Sequence, residues 1–224
     1  FVRSISPPEK ACYHHIEFPS YKGVEVEVHY RPSFLLCFWH NRKLQKYYER
    51  VKEEQFLHRV MLGEQGEIAI PTVEFNLIFQ LTHIFSHLMN EGIGLRQLLD
   101  YYYVLISDDL LLIRDRVQKE LKELGLWKFA GGIMYIMQEV FGMPASRLIV
   151  PPNEKYGKFV LNEVLEAGNF GRHDARNRFG RSQLGHNLQR VYRDIRLVRY
   201  FPGEALCEPL FRVWHFFWRM KNKK

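Results

Sequence analysis

The stretch KGVEVEVHYRP, residues 22–32, places Glu25, Glu27 and His29 at every second position, with Val24, Val26 and Val28 between them. In an extended strand alternate side chains point to opposite faces, so the two glutamates and the histidine share one face and the valines share the other, predicted to be buried. Glutamate is a poor strand former and stacked like charges repel, so a compensating partner is expected. A divalent metal is one such partner, and His29 could add a ligand, a proton donor or a hydrogen bond that positions a glutamate. A half-exposed strand with a solvated polar face is the other reading of the same residues.

A second constellation is His83, His87 and Glu91, at i, i+4 and i+8, which falls on one face of a helix and can present two imidazoles to one ligand. The sequence there is HIFSH. The glutamate that a zinc metalloprotease carries directly after its first histidine is absent, so these histidines are read as lining a polar groove or bonding between packed helices. Arg96 and Asp100, four apart, either bridge each other on a helix surface or, with Arg96 in a first turn after a glycine-containing break, hold a phosphate. The glycine- and arginine-rich loop 168–181, with Arg172, His173 and Arg176, reads either as an anion-binding loop or as a solvated basic one. It lacks the Gly-Lys-Ser/Thr of a P-loop, and the chain has no Gly-x-Ser-x-Gly, dinucleotide fingerprint or zinc-finger spacing.

Hydrophobic pattern and punctuation predict the elements that must position these residues. ACYHHIEF, PSYKG and VEVEVHYRP read as strand, turn, strand, closed by Pro32, which cannot donate to a ladder. A polar helix is expected over 41–54, then two short strands around GEQG. After Pro71 the spacing turns helical, with Thr72 as N-cap and Gly92 as the stop of the first helix. Six further helices follow, the last two split by Pro202 and Gly203. The expected fold class is α+β, predominantly helical: a small β-rich part over residues 1–70, then a helical domain over 71–224. The aromatic and basic last helix, LFRVWHFFWRMKNKK, is expected to cover the core, with contact to a membrane surface or nucleic acid as the alternative.

At 224 residues and 46% hydrophobic composition the chain can bury a substantial core. Its longest apolar runs fall far short of the roughly 20 residues of a membrane span, and FVRSISPPEK does not read as a secretory signal, so a cytoplasmic location is the default. Cys12, Cys37 and Cys207 are widely spaced, which predicts reduced, mostly buried thiols. The net charge of +7 is uneven: from Arg172 onward 13 Lys and Arg face 4 Asp and Glu, an excess suited to an anionic partner.

Taken in order, VEVEVHYRP, LTHIFSHLMNEGIGLRQLLDYYYVL and EVLEAGNFGRHDAR resemble the later part of a bacterial family of uncharacterised nucleotidyltransferases. The resemblance maps Glu27 to the third carboxylate of the nucleotidyltransferase sheet and His29 to its companion. It implies catalytic roles for Glu27 and His29, a metal side formed by Glu25 and Glu27, and Mg2+ for the complete enzyme. NTP and an unknown hydroxyl acceptor are the implied substrates. Arg96, Asp100, His83, His87, Arg172, His173 and Arg176 become candidates for the nucleotide- or acceptor-facing wall. The Gly-Ser turn and Asp-x-Asp strand of that superfamily are missing here. The expectation is therefore a C-terminal part of a longer, Mg-dependent nucleotidyltransferase, inactive by itself. The alternative is a non-catalytic module that binds an anionic partner such as nucleic acid through its basic C-terminal quarter.

Overall fold

A computed structural model describes residues 13–168, 174–176, 179 and 182–222. β1 (His15–Tyr21) and β2 (Val24–His29) form an antiparallel hairpin. Lys22 and Gly23 both take positive φ, 50° and 79°, the signature of the tight turn whose twist matches the strands it joins. Tyr21 pairs with Val24, yet Phe18 pairs with Val26 and His15 with His29, so the register shifts by one residue between Phe18 and Tyr21. That interval contains Pro19, which has no N–H to give to a ladder.

The expectation of a continuous buried valine face is corrected by this hairpin. Ile16 is buried at its base, but Val26 and Val24 are 36% and 61% exposed toward the tip. The opposite, polar face is the one that borders a cavity.

α1 (Phe38–Leu57) buries Asn41, Leu44 and Tyr48 along one face. The short strands β3 (Arg59–Met61) and β4 (Glu67–Ala69) pair across the predicted GEQG turn. α2 (Val73–Asn90) starts where the Thr72 side chain accepts a hydrogen bond from the Phe75 amide and stops before Gly92, whose φ is 106°. It buries Leu77, Ile78, Leu81, Ile84, Phe85 and Leu88, each removal from water contributing roughly 1.5–3 kcal/mol. α3 (Leu95–Leu105), α4 (Leu110–Glu123), α5 (Trp127–Glu139), α6 (Glu154–Ala167), α7 (Gln183–Val198) and α8 (Pro202–Asn222) complete the described helices. The α+β, predominantly helical class is thus the observed one. One core cluster runs from Tyr13, Leu35 and Leu44 through α2 and α5 to Phe211.

The last helix divides its aromatics between two faces, which corrects the expectation that they simply cover the core. Phe211 is buried and packs on Tyr13 and Phe34, at ring separations of 5.6 and 5.4 Å, whereas Val213, Phe216, Phe217 and Met220 are exposed. α7 has the opposite arrangement to a surface helix: Leu184, Leu188, Val191 and Ile195 face outward while Asp194 is buried. Among the described residues no helix is long and apolar enough to cross a membrane.

Candidate functional site

The hairpin's polar face, α2 and α8 enclose a cavity of about 680 Å3. Three features anchor the hairpin there. Arg31 donates to the Tyr13 carbonyl at 2.7 Å with its guanidinium over the Tyr13 ring. Asn41 of α1 donates to the Tyr13 hydroxyl at 3.1 Å. Ser33, just past the hairpin, lies 2.6 Å from both the Tyr48 hydroxyl and Thr82 Oγ1, so α1 and α2 clamp the segment leaving β2. Burial of this hydroxyl cluster pushes the Tyr48 phenol up to about 12, and it stays neutral as a structural pin.

On the hairpin wall, the one-residue register shift sets His15 directly opposite His29 on the face that carries Glu27. His29 Nε2 is 3.3 Å from Glu27 Oε2, and His15 Nε2 is 4.0 Å from Glu27 Oε1. His15 Nδ1 in turn meets His14 Nε2 at 2.9 Å. Glu27 thus heads a carboxylate–imidazole–imidazole chain. At 4.0 Å the Glu27–His15 contact is too long for a hydrogen bond, and either ring of the His14–His15 pair can be the donor. Desolvation, reinforced by the surrounding imidazoles of His15, His29, His83 and His87, holds His14 down at about 3, so it is neutral at ordinary pH.

The facing wall on α2 repeats the pattern. Glu91 Oε2 lies 3.4 Å from His87 Nδ1, and His87 Nε2 lies 3.0 Å from His83 Nε2. The His87 contact holds the Glu91 carboxyl below its ordinary range, and burial together with His87 brings His83 down to about 4. Two chains, Glu27–His15–His14 and Glu91–His87–His83, therefore face one space, with His14 and His83 held neutral. The α7–α8 wall adds Arg190, Glu208, Arg212 and His215. Arg212 grips Glu208 at 2.6 Å. Burial and Glu208 push the neighbouring Asp194 carboxyl up to about 7, so this acid pair retains a proton near neutrality.

Of the residues singled out in the sequence, Glu27, His29, His83 and His87 come together at this cavity. Glu25 is exposed on the same strand and is not among the lining residues. Asp100 borders a shallower pocket shared with His83, and Arg96 is exposed on α3, away from the cavity lining. Arg176 bonds Glu163 with both terminal nitrogens, at 2.9 and 3.1 Å, and Asp174 through Nε at 2.8 Å. Its fork is filled from within the chain, and these carboxylates raise its already high pKa. Arg172 and His173 lie outside the described residues. His14, His15, His215 and the α7–α8 residues were not legible as site members: the HH dipeptide is a signal, but its pairing with His29 depends on the register shift.

His15, Glu27 and His29 place their ligand atoms within 4.8 Å of one another, two imidazole nitrogens and one carboxylate oxygen. No curated protein and no solved structure matches the chain. The model of the uncharacterised nucleotidyltransferases matches residues 6–142, more than half of the chain. That stretch carries the hairpin, α2 and both histidine chains, while the α7–α8 wall lies beyond it. The chain belongs to the uncharacterised nucleotidyltransferase family.

Proposed function

We propose that the histidine-lined cavity is the reaction site of a nucleotidyl transfer from an NTP to a hydroxyl acceptor. The observation that carries this reading is the convergence of Glu27 and His29 with His83, His87 and Glu91 on one cavity, inside the stretch matched by the family. Glu27, half exposed and beside two imidazoles, is the base for the acceptor hydroxyl and takes up its proton. Arg190, at the far wall, supplies positive charge to a polyphosphate. His83 and His14, both held neutral, line the site without adding charge.

Nucleotidyltransferases typically use a divalent metal, which orients the phosphates and stabilises the leaving pyrophosphate. The hairpin's own donors do not fit Mg2+ by themselves. That ion takes oxygen ligands in near-octahedral geometry, whereas two imidazoles with one carboxylate suit Mn2+, Fe2+ or Zn2+. Glu25 does not supply the missing oxygen, since it stands outside the cavity lining.

The alternative, a module that binds an anionic partner, would rest on the C-terminal arginines that are not paired within the chain. Arg176 and Arg196 share Glu163, and Arg212 is bound to Glu208, so these three arginines are engaged inside the chain.

The test is calorimetric titration of the complete protein with NTP plus Mg2+ or Mn2+, followed by turnover on hydroxyl acceptors. Metal-dependent binding that weakens in Glu27→Ala is expected. Unchanged binding and turnover in that variant would remove the role given to Glu27.

A further inference from the structure

Two helix N-termini far apart in sequence meet at a corner outside the cavity, and each brings two metal-ligating side chains three residues apart. Cys37 is the N-cap of α1 and His40 lies in its first turn; Glu204 and Cys207 lie in the opening turns of α8. Residues i and i+3 share a helix face, so the pairs read as C-x2-H and E-x2-C turned toward each other. Cys37 and Glu204 are buried, and the ligand atoms of Cys37, His40 and Glu204 all lie within 4.8 Å of one another. Cys207, three residues after Glu204, neighbours Cys37 but stands outside that trio.

The corner is held as a ligand set would be. Glu204 Oε2 accepts the Leu36 and Cys37 amides at 2.6 and 3.1 Å, which caps α1 from a residue 167 positions away and leaves Oε1 toward His40 Nδ1 at 3.6 Å. The His40 ring is pressed from behind by Gly125: a Cβ there would come 2.5 Å from His40 Cε1 and 2.7 Å from Nε2. Nδ1, the ring nitrogen farther from Gly125, is the one near Glu204.

We propose that Cys37, His40 and Glu204 bind a structural Zn2+ ion, with Cys207 turning in as the fourth ligand, and that the ion locks the start of α1 to the start of α8. Two thiolates, one imidazole and one carboxylate form a tetrahedral set suited to this ion, and four protein ligands leave no open position, the mark of a structural site; Cys37 and Glu204 are buried, whereas His40 and Cys207 are partly exposed. Both helix N-termini favour the negative charge that remains when the thiols release their two protons to the solvent on binding.

The experiment is titration of the reduced, complete protein with Zn2+ against a chromogenic chelator, and with Co2+ followed by absorption. With the cavity's imidazoles removed by His15→Ala/His29→Ala, one ion per chain is expected, with the near-ultraviolet thiolate-to-cobalt charge-transfer band. Cys37→Ser and Cys207→Ser should each lose at least 100-fold in affinity and most of that band, and His40→Gln at least tenfold. A His15→Ala/His29→Ala variant should keep the band, which separates this site from the cavity. The proposal is overturned by absent binding with all thiols titratable, by a Cys37–Cys207 disulfide in the native protein, or by binding undiminished in the serine variants. Should Cys37→Ser not fold, Cys207→Ser and His40→Gln decide alone.

Discussion

The cavity between the hairpin and α2 and the corner between α1 and α8 are built from similar side chains, yet they differ in access. In the cavity, carboxylates and imidazoles line a space of about 680 Å3, and Glu27 remains 55% exposed. In the corner, Cys37 and Glu204 are buried and Glu204 is already committed to two backbone amides. Donors that keep an open side can exchange protons and ligands, while four protein donors closed around one ion can only hold the structure. Perturbing the corner should therefore change stability, and perturbing the cavity should change binding and turnover.

The largest expected effect tests the corner. Gly125→Ala puts a Cβ into the His40 ring at a backbone φ of +71° and should destabilise by about 3 kcal/mol, read by urea unfolding. A stability change below about 1 kcal/mol would show that His40 is not held there. Close behind, Glu27→Ala should lower kcat/KM about 100-fold or more, about 2.7 kcal/mol, with the unfolding midpoint unmoved because the side chain is half exposed. A large loss of stability in that variant would erase the contrast.

Glu91→Gln removes the carboxylate that holds the His87 and His83 tautomers and should cost about tenfold in kcat/KM. If turnover is untouched, the α2 chain is packing and not chemistry.

Stability against pH gives a finer test, since two groups act with opposite sign. His14 and His83 are held at about 3 and 4, below the ordinary 6.5, so the folded state binds fewer protons than the unfolded chain between about pH 4 and 6.5. Stability rises with pH there. Asp194 is held at about 7, above its ordinary 3.8, so the folded state keeps a proton the unfolded chain has released, and stability falls between about pH 4 and 7. Asp194→Asn should steepen the net rise, and His14→Gln/His83→Gln should flatten or reverse it, as followed by denaturant unfolding across that range. Equal slopes in all three proteins would show that these groups are not perturbed. The smallest effect is expected for Arg96→Ala, exposed on α3: within about 0.5 kcal/mol in stability and unchanged in NTP binding.

The elements were legible because local chemistry sets them. Thr72 caps α2, Lys22–Gly23 turns the hairpin, and 3.6-residue periodicity marks α2 through α6. Half of the cavity was legible for the same reason. Spacing two on a strand and four on a helix fixes Glu27 with His29, and His83 with His87 and Glu91, on common faces before any tertiary contact forms.

Other features depend on contacts that sequence spacing does not encode. Regular pairing from the turn would set His15 against Tyr30 and turn it to the opposite face from His29. A one-residue shift in the interval containing Pro19 reverses that, since strand side chains alternate with a period of two. Likewise Cys37 and Cys207, widely spaced thiols along the chain, meet only because α8 returns to the N-terminus of α1. The sequence by itself determined which residues share a face. The packing of distant segments decided which faces meet, and thereby joined two histidine chains into one cavity and two ligand pairs into one corner.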